Sequence, residues 1–294
     1  MSGDLTSTRP PQFLHSEPNL SILGFFNPLK MVANLFARRE LLWQFTVREV
    51  QGRYRGSYLG MFWALINPLL TLMVYTFVFH VIFNAKWDGN NPNENFMVYA
   101  MNMFSGIVAF TVFSESVIRA PMLVVQNPNF VKKVVFPLEL LPLSLVGAAL
   151  IHSLLGLMVL LVGAACGAGS LHWTLIFLPV VFLPLAILTA GLCWILSSLG
   201  VFLRDIGNIV QVAVQLLFFL TPITYPLSRL SLQGQRVMLL NPLALMIVNI
   251  RRVVNFGAAP EWKSYFISLT AASVVAILGY AWFMKIKRAF ADVI

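Results

Sequence analysis

Glu115, Glu139 and Asp205 are acidic residues that fall in or beside long apolar segments. An ionisable side chain in such a place is a functional candidate by default. Glu115 stands four residues before Arg119, an order that suits an ion pair along one helix. Glu139 sits between Pro137 and Pro142 at the start of an apolar run. Both fall near the predicted ends of spans, where a partner or water is close, so structural pairing is the preferred reading of each. The three acids form no Asp-x-Asp pair of the kind that holds a metal and a nucleotide sugar. His15, His80, His152 and His172 are isolated from one another, so no metal site is predicted. No glycine is followed by lysine, which removes the phosphate-cradling loop of P-loop ATPases. No serine carries the flanking glycines of a nucleophile elbow. Cys166 and Cys193 stand in apolar surroundings at no metal or redox spacing. A membrane enzyme is therefore not supported. An ion-coupled transporter would carry charge near the bilayer midplane, and this chain lacks it, so an external energy source is predicted.

The elements that must position these groups are membrane spans. Of 294 residues, 59% are hydrophobic and only 11% charged, against roughly 25% charged in soluble domains. The net charge of +9 then reads as basic residues flanking spans and facing anionic lipid, with no nucleic-acid partner. A polar tail, 1–27, precedes a basic amphipathic segment, 28–57. Trp43, Val47, Val50 and Tyr54 form one stripe there, and Gln44, Arg48, Gln51 and Arg55 a second. Two such stripes predict a helix on the cytosolic membrane surface. Six spans follow, at about 58–83, 96–117, 138–165, 173–202, 209–225 and 264–284, within a membrane domain of 58–288 and before a short cytosolic tail, 289–294. Asn67-Pro68 predicts a kink or widened turn in the first span. The short loops obey the positive-inside rule, with both termini cytosolic. The last outer segment, holding Arg229, Arg236, Arg251, Arg252 and Lys263, does not. Within it, 239–254 is too short to span and too apolar for a plain loop. It reads as a re-entrant hairpin broken at Asn241-Pro242, or as a surface helix. Small residues four apart, Ala149 with Ser153 and Ala186 with Ala190, predict close helix approach.

Aromatic residues add a second pattern. Tyr58, Phe62, Leu65, Leu69, Leu72, Tyr75, Phe79 and Phe83 fall on one face of the first span, and Phe218, Phe219 and Tyr225 cluster in the fifth. Such rings can stack on sugars, and they equally serve as lipid-facing anchors. Periodicity alone favours the anchors.

Several strings together carry a resemblance. Residues 48–63 read R-E-V-x-x-R-Y-R-G-S-x-L-G-x-x-W. An inner loop holds Asn127, Val131-Lys132-Lys133-Val134 and Phe136-Pro137-x-Glu139-x-Leu141-Pro142. Later come Arg204-Asp205-Ile206, Thr221-Pro222-Ile223-x-Tyr225-Pro226, Leu240-Asn241-Pro242 and Arg251. In order and spacing, from about 38 to 288, this resembles ABC-2 type permeases that export O-antigen, capsule or teichoic acid. The leading tail is longer than the family's pattern.

The resemblance implies an all-α, six-span permease of the bacterial inner membrane that works as a homodimer. Two copies of a separate ATPase would bind ATP and Mg, with no cofactor in this chain. The cargo would be a polyprenyl-linked polysaccharide. It also implies a coupling helix at about 121–133, carried by Pro121, Gln126, Asn127, Phe130, Lys132 and Lys133. Arg48, Arg53 and Arg55 would attract the lipid diphosphate. Asn241, Pro242, Arg251 and Arg252 would belong to a gate at the outer mouth. Given the resemblance, Tyr58, Phe62, Tyr75, Phe79, Phe83, Phe218, Phe219 and Tyr225 become candidates for a wall along which sugars slide. A drug or small-lipid exporter of the same superfamily is the alternative cargo reading, with a membrane glycosyltransferase far behind.

Overall fold

The computed structural model describes residues 26–56, 58–87, 96–132, 136–165 and 172–293. Among them the regular elements are helices. In chain order they are α1 (Pro28–Ala37), α2 (Arg39–Tyr54), α3 (Trp63–Thr76), α4 (Phe96–Leu123), α5 (Pro128–Val131), α6 (Leu140–Gly163), α7 (Leu178–Phe202), α8 (Ile206–Leu220), α9 (Leu232–Met238), α10 (Pro242–Val254), α11 (Trp262–Ile286) and α12 (Phe290–Val293).

Among the described residues, five helical stretches are long and apolar enough to cross a membrane: Trp63–Ile82, Phe96–Leu123, Leu140–Gly163, Trp173–Phe202 and Trp262–Val293. The pair α9 and α10, bent by 99° at its break, makes six if it is one broken span. The predicted fifth span is shorter than expected. Its helix, α8, has 15 residues, about 22 Å against a hydrocarbon core of roughly 30 Å. Residues 221–224, which were to complete it, form a buried turn instead.

α4 is the hub. In its most apolar window 78% of residues are buried, against 6% for α3, so α3 is peripheral and α4 is enclosed. α6, α7, α8 and α10 pack around α4, and α11 lies along α7. The backbones of α7 and α11 approach closely at Gly191 and Gly279, where a Cβ on Gly191 would stand 2.7 Å from Ala276 Cα and one on Gly279 would meet Gly191 O. Of the small residues predicted for close packing, Ala149, Ser153 and Ala190 are buried and Ala186 is half-buried.

The start of the chain departs from a single surface helix. Asn27 caps α1, its Oδ1 accepting from the Leu29 and Lys30 amides at 3.0 and 3.3 Å, with Pro28 at the first helical position. The helix breaks at Arg38, and α2 begins at Arg39. α2 then runs alongside the first half of α6 in the same direction. Arg38 meets Glu139, Thr46 touches Gly147, and Arg53 reaches His152. A helix lying across the spans would meet α6 at one level, whereas these contacts extend about 20 Å along it. The buried face of α2 is Phe45 and Thr46, while Trp43 of the predicted apolar stripe is 60% exposed. The side chain of Tyr54 lies outside the described residues. Gly56 and Gly60, at φ +85° and +48°, turn the chain from α2 into α3 through backbone that other residues rarely adopt.

α3 passes through Pro68 as unbroken α-helix. The widened turn lies further on, at Phe77–Ile82, where the Phe83 amide bonds Val78 O at 3.1 Å, five residues back. α4 runs past the predicted end of its span to Leu123, with Pro121 inside it.

Candidate functional site

One end of the bundle gathers most of the cations and is pinned by acids. Glu139, 2% exposed, lies between Arg38 at 2.5 Å and Lys287 at 3.4 Å. Its carbonyl accepts the Trp194 indole N–H at 3.0 Å. Two positive groups on one carboxylate leave this corner with surplus positive charge.

Glu115 does not pair with Arg119. The Arg53 guanidinium donates to Glu115 Oε2 at 2.8 Å, while Arg119 pairs with Glu49 on α2, also at 2.8 Å. Both partners lie on α2, so the local pairing expected within α4 gives way to two cross-helix pairs. His152 Nδ1 is 2.8 Å from Arg53 Nη1 and 3.1 Å from Glu115 Oε1. It accepts from the first or donates to the second according to its tautomer. A pocket of about 160 Å³ between α3, α4 and α6 opens onto Glu115 and His152, with Asn67, Thr71 and Ser153 on its wall. Arg53 is thus held by an acid. Arg48 and Arg55, the other two arginines assigned to a diphosphate, are exposed.

The connection between α4 and α6 holds the predicted coupling residues. Pro121 is buried inside α4 against Gly200 of α7, so it is not on the surface of this segment. Gln126 and Lys132 are exposed. Asn127 is half-buried and its Nδ2 donates to Leu123 O at 2.9 Å. Lys133 lies outside the described residues. Phe130 of α5 packs against Phe45 of α2 and Phe136, with ring centroids 5.3 and 4.5 Å apart. The Arg48 guanidinium lies over the Phe45 and Phe130 rings at 4.4 and 5.0 Å. This joint fastens α5 to α2. Phe45 was not singled out from sequence, and Phe136 only within the string that carries the resemblance, because neither belongs to a local pattern with Phe130.

The aromatic residues divide into two groups. Tyr75 stacks on Phe79 at 6.2 Å and meets Phe218 at 5.8 Å. Phe83 continues the row beside Phe79, and Phe219 lies beside Phe218 at 5.3 Å. Phe83 and Phe219 are 66% and 65% exposed. α3 and α8 therefore build one aromatic face, with Phe110 of α4 behind it. Phe62, Leu65, Leu69 and Leu72 turn elsewhere, lining an apolar groove of about 750 Å³ with Met97, Met101 and Met158. The single face predicted for the first span is split. Tyr58, also assigned to it, is fully exposed in the turn before α3. The Tyr225 hydroxyl donates back to Phe219 O at 3.2 Å, closing the turn after α8.

The far end of the bundle is organised by Arg251. This residue of α10 is 3% exposed. Its Nε donates to Asn102 O at 2.7 Å, Nη1 to Pro222 O at 2.5 Å and Nη2 to Ile223 O at 2.6 Å. Its guanidinium lies 4.4 Å from the centre of the Trp87 ring. Gly106 supplies the space, since a Cβ there would sit 2.5 Å from Nη2. Nearby, Asn255 donates to Met101 O and Asn102 Oδ1, and the Tyr99 hydroxyl to Thr224 O at 3.0 Å. Asn241 caps α10 through Leu243 N and donates to Thr221 Oγ1 at 3.0 Å. Arg252 bonds Ala259 O at 3.3 Å. Asn241, Pro242, Arg251 and Arg252 thus come together around the bent helix pair. Trp87, Tyr99 and Gly106 belong to the same assembly and carried no sequence signal for it.

Apolar spanning helices and a bent helix pair at the far end define a polytopic membrane protein. Residues 40–254 match the ABC-2 type transporter family, to which this chain belongs. It is 32% identical over 252 residues to the O-antigen export system permease protein RfbA of Myxococcus xanthus, covering 85% of this chain and 93% of that one. A Klebsiella pneumoniae protein of the same name is 29% identical over 268 residues, covering 90% and 99%. The polysialic acid transport protein KpsM of Escherichia coli is 25% identical over 223 residues, covering 74% and 82%.

Proposed function

We propose that this chain is the channel-forming transmembrane subunit of an ATP-driven exporter that moves lipid-linked polysaccharide, O-antigen-like in kind, across the bacterial cytoplasmic membrane. The observation that carries this reading is the likeness to O-antigen export permeases over nearly the full length of both chains. In this reading the subunit is a homodimer, joined where α3 and α8 leave their faces least covered. Two copies of a separate ATPase bind ATP and Mg and dock on the basic end, at the segment of about 121–133. Both termini are cytosolic.

Hydrolysis displaces α5. The Phe45–Phe130–Phe136 joint passes that displacement to α2. Three ion pairs, through Arg38, Glu49 and Arg53, pass it on to α4 and α6. The aromatic face of Tyr75, Phe79, Phe83, Phe218 and Phe219 lines the path, offering flat apolar surfaces to sugar rings without the hydrogen bonds that would arrest them. Arg48 and Arg55, exposed at the basic end, attract the diphosphate of the carrier. Asn241, Pro242, Arg251 and Arg252 hold the outer gate.

The test is complementation of an export-deficient strain with the wild-type chain and with Tyr75→Ala, Phe79→Ala and Phe219→Ala. Surface glycan should fall while the complex still assembles with its ATPase. Undiminished surface glycan in all three variants would transfer the assignment to a drug or small-lipid cargo. The purified chain alone should show no nucleotide hydrolysis.

A further inference from the structure

A groove of about 460 Å³ lies between α7 and α11, lined by Phe26, Ile195, Leu199, Leu278, Ala281, Trp282 and Lys285. None of these residues belongs to α3 or α8, so the groove is separate from the aromatic face. We infer that it seats one acyl chain of an anionic phospholipid, with the lipid phosphate held at its rim by Lys285.

Three observations converge on that occupant. The first is the lining. Six of the seven residues are apolar, and a slot of this kind in a membrane-spanning chain faces lipid tails, not water. From Leu278 to Lys285 it runs about 10 Å along α11, room for the part of a tail just beneath its head group. Phe26, two residues before α1, lines it as well.

The second is the rim. Lys285 is exposed in the last turn of α11, and Trp282, 43% exposed, sits one turn below it. Tryptophan is enriched at head-group depth, and a lysine stem reaches along apolar surface to bring its ammonium to the phosphate layer.

The third is the charge balance of the walls. Residues 26–37, α7 and 278–293 together carry Lys30, Lys285, Lys287 and Arg288 as cations and Asp292 as their acid. Of these, Lys287 is drawn to Glu139, a carboxylate that Arg38 already holds. The corner keeps a positive excess that a zwitterionic head group satisfies poorly and an anionic one satisfies well. Each cation near such a head group favours it by about fivefold. Lipid bound here touches Phe26, just before α1, together with α7 and α11.

The full chain, purified in mild detergent, would be titrated with dioleoyl phosphatidylglycerol or dioleoyl phosphatidylcholine and read by native mass spectrometry. The wild type should retain one phosphatidylglycerol at least fivefold more tightly than phosphatidylcholine. Lys285→Gln should lower that preference by about fivefold. Leu278→Trp, at an exposed position that fills the groove, should weaken retention of both lipids. Leu154→Trp on α6, equally exposed and remote, should change neither. Equal retention of the two lipids by the wild type means non-selective annular lipid and overturns the inference. A preference that survives both Lys285→Gln and Leu278→Trp places the lipid elsewhere and also overturns it.

Discussion

Arg251→Lys keeps the charge and removes the fork. In the native chain three nitrogens of one guanidinium reach three backbone carbonyls, of Asn102, Pro222 and Ile223, from three directions. A lysine ammonium is a compact point that ends short of the two outer carbonyls, and it satisfies one of the three. Each lost charge-assisted bond costs about 1.5–3 kcal/mol, so two of them cost roughly 3–6 kcal/mol. The range overlaps the 3–5 kcal/mol typical of breaking a buried charge's partnership. For a chain of this size the change lowers the unfolding midpoint on the order of 5–10 °C, measured in detergent by tryptophan fluorescence. Gly106→Ala attacks the same group from behind, because its Cβ would stand 2.5 Å from Arg251 Nη2. It should lower the midpoint comparably. In an Arg251→Met background, where no guanidinium remains to be displaced, it should cost far less. A midpoint for Arg251→Lys within 1 °C of wild type refutes the reasoning (on the order of 0.5 kcal/mol or less). So does full additivity of Gly106→Ala with Arg251→Met.

Glu139→Gln strips the carboxylate from beneath Arg38 and Lys287. The cations left behind are part-exposed and can be hydrated, so it should destabilise by about 1.5–3 kcal/mol, visible as a lower midpoint and easier proteolysis within α1. Phe130→Ala removes the ring between Phe45 and Phe136, truncating a half-buried side chain at about 2–3 kcal/mol of local stability. Hydrolysis by the assembled complex should continue while export falls, and export at wild-type level would show that the ring joint transmits nothing. At the Arg53–Glu115 pair, Arg53→Met or Glu115→Gln alone leaves the partner charge unmatched, and each should cost more than the double replacement. A double variant no more stable than the worse single variant would contradict the pairing.

Five of the six predicted spans were legible because each is a long apolar run, and the break at Asn241-Pro242 because Pro sets its own local backbone; the fifth was not, because an apolar run does not say where its helix ends. What escaped is long-range. The placement of α2 against α6 and α4 depends on Arg38 finding Glu139, 101 residues away, and Arg53 finding His152 and Glu115, 99 and 62 residues away. No spacing rule contains those pairs. The same distances defeated the local pairing of Glu115 with Arg119, since each had a partner on another helix. The single aromatic face failed for a different reason. At about 100° per residue the row drifts around the helix, so that Tyr75 lies roughly 140° from Phe62; Phe62 lines the groove against α6, while Tyr75 reaches Phe218 of α8. Arg251 was readable as a basic residue in an outer segment. Its role as the centre of that segment was not, because the carbonyls it binds lie 28, 29 and 149 residues away.

The two ends of the bundle are held by opposite kinds of contact, and this bears on where motion can occur. At the basic end the ties are between side-chain charges, Arg38–Glu139, Arg53–Glu115 and Arg119–Glu49, and between rings, Phe45, Phe130 and Phe136. They join α2, α4, α5 and the start of α6 into one unit that can move as a body without breaking any of them. At the far end Arg251 binds backbone carbonyls on two segments, so α10 cannot slide past α4 or the turn after α8 without losing several bonds together. Between these ends α3 is almost uncovered, 6% of its window being buried, and α8 exposes Ile209, Val212, Leu216 and Phe219. A displacement entering at α5 therefore meets its least resistance along α3 and α8, where the aromatic face lies. In the proposed exporter this widens the path between two copies of the chain and leaves each outer assembly intact.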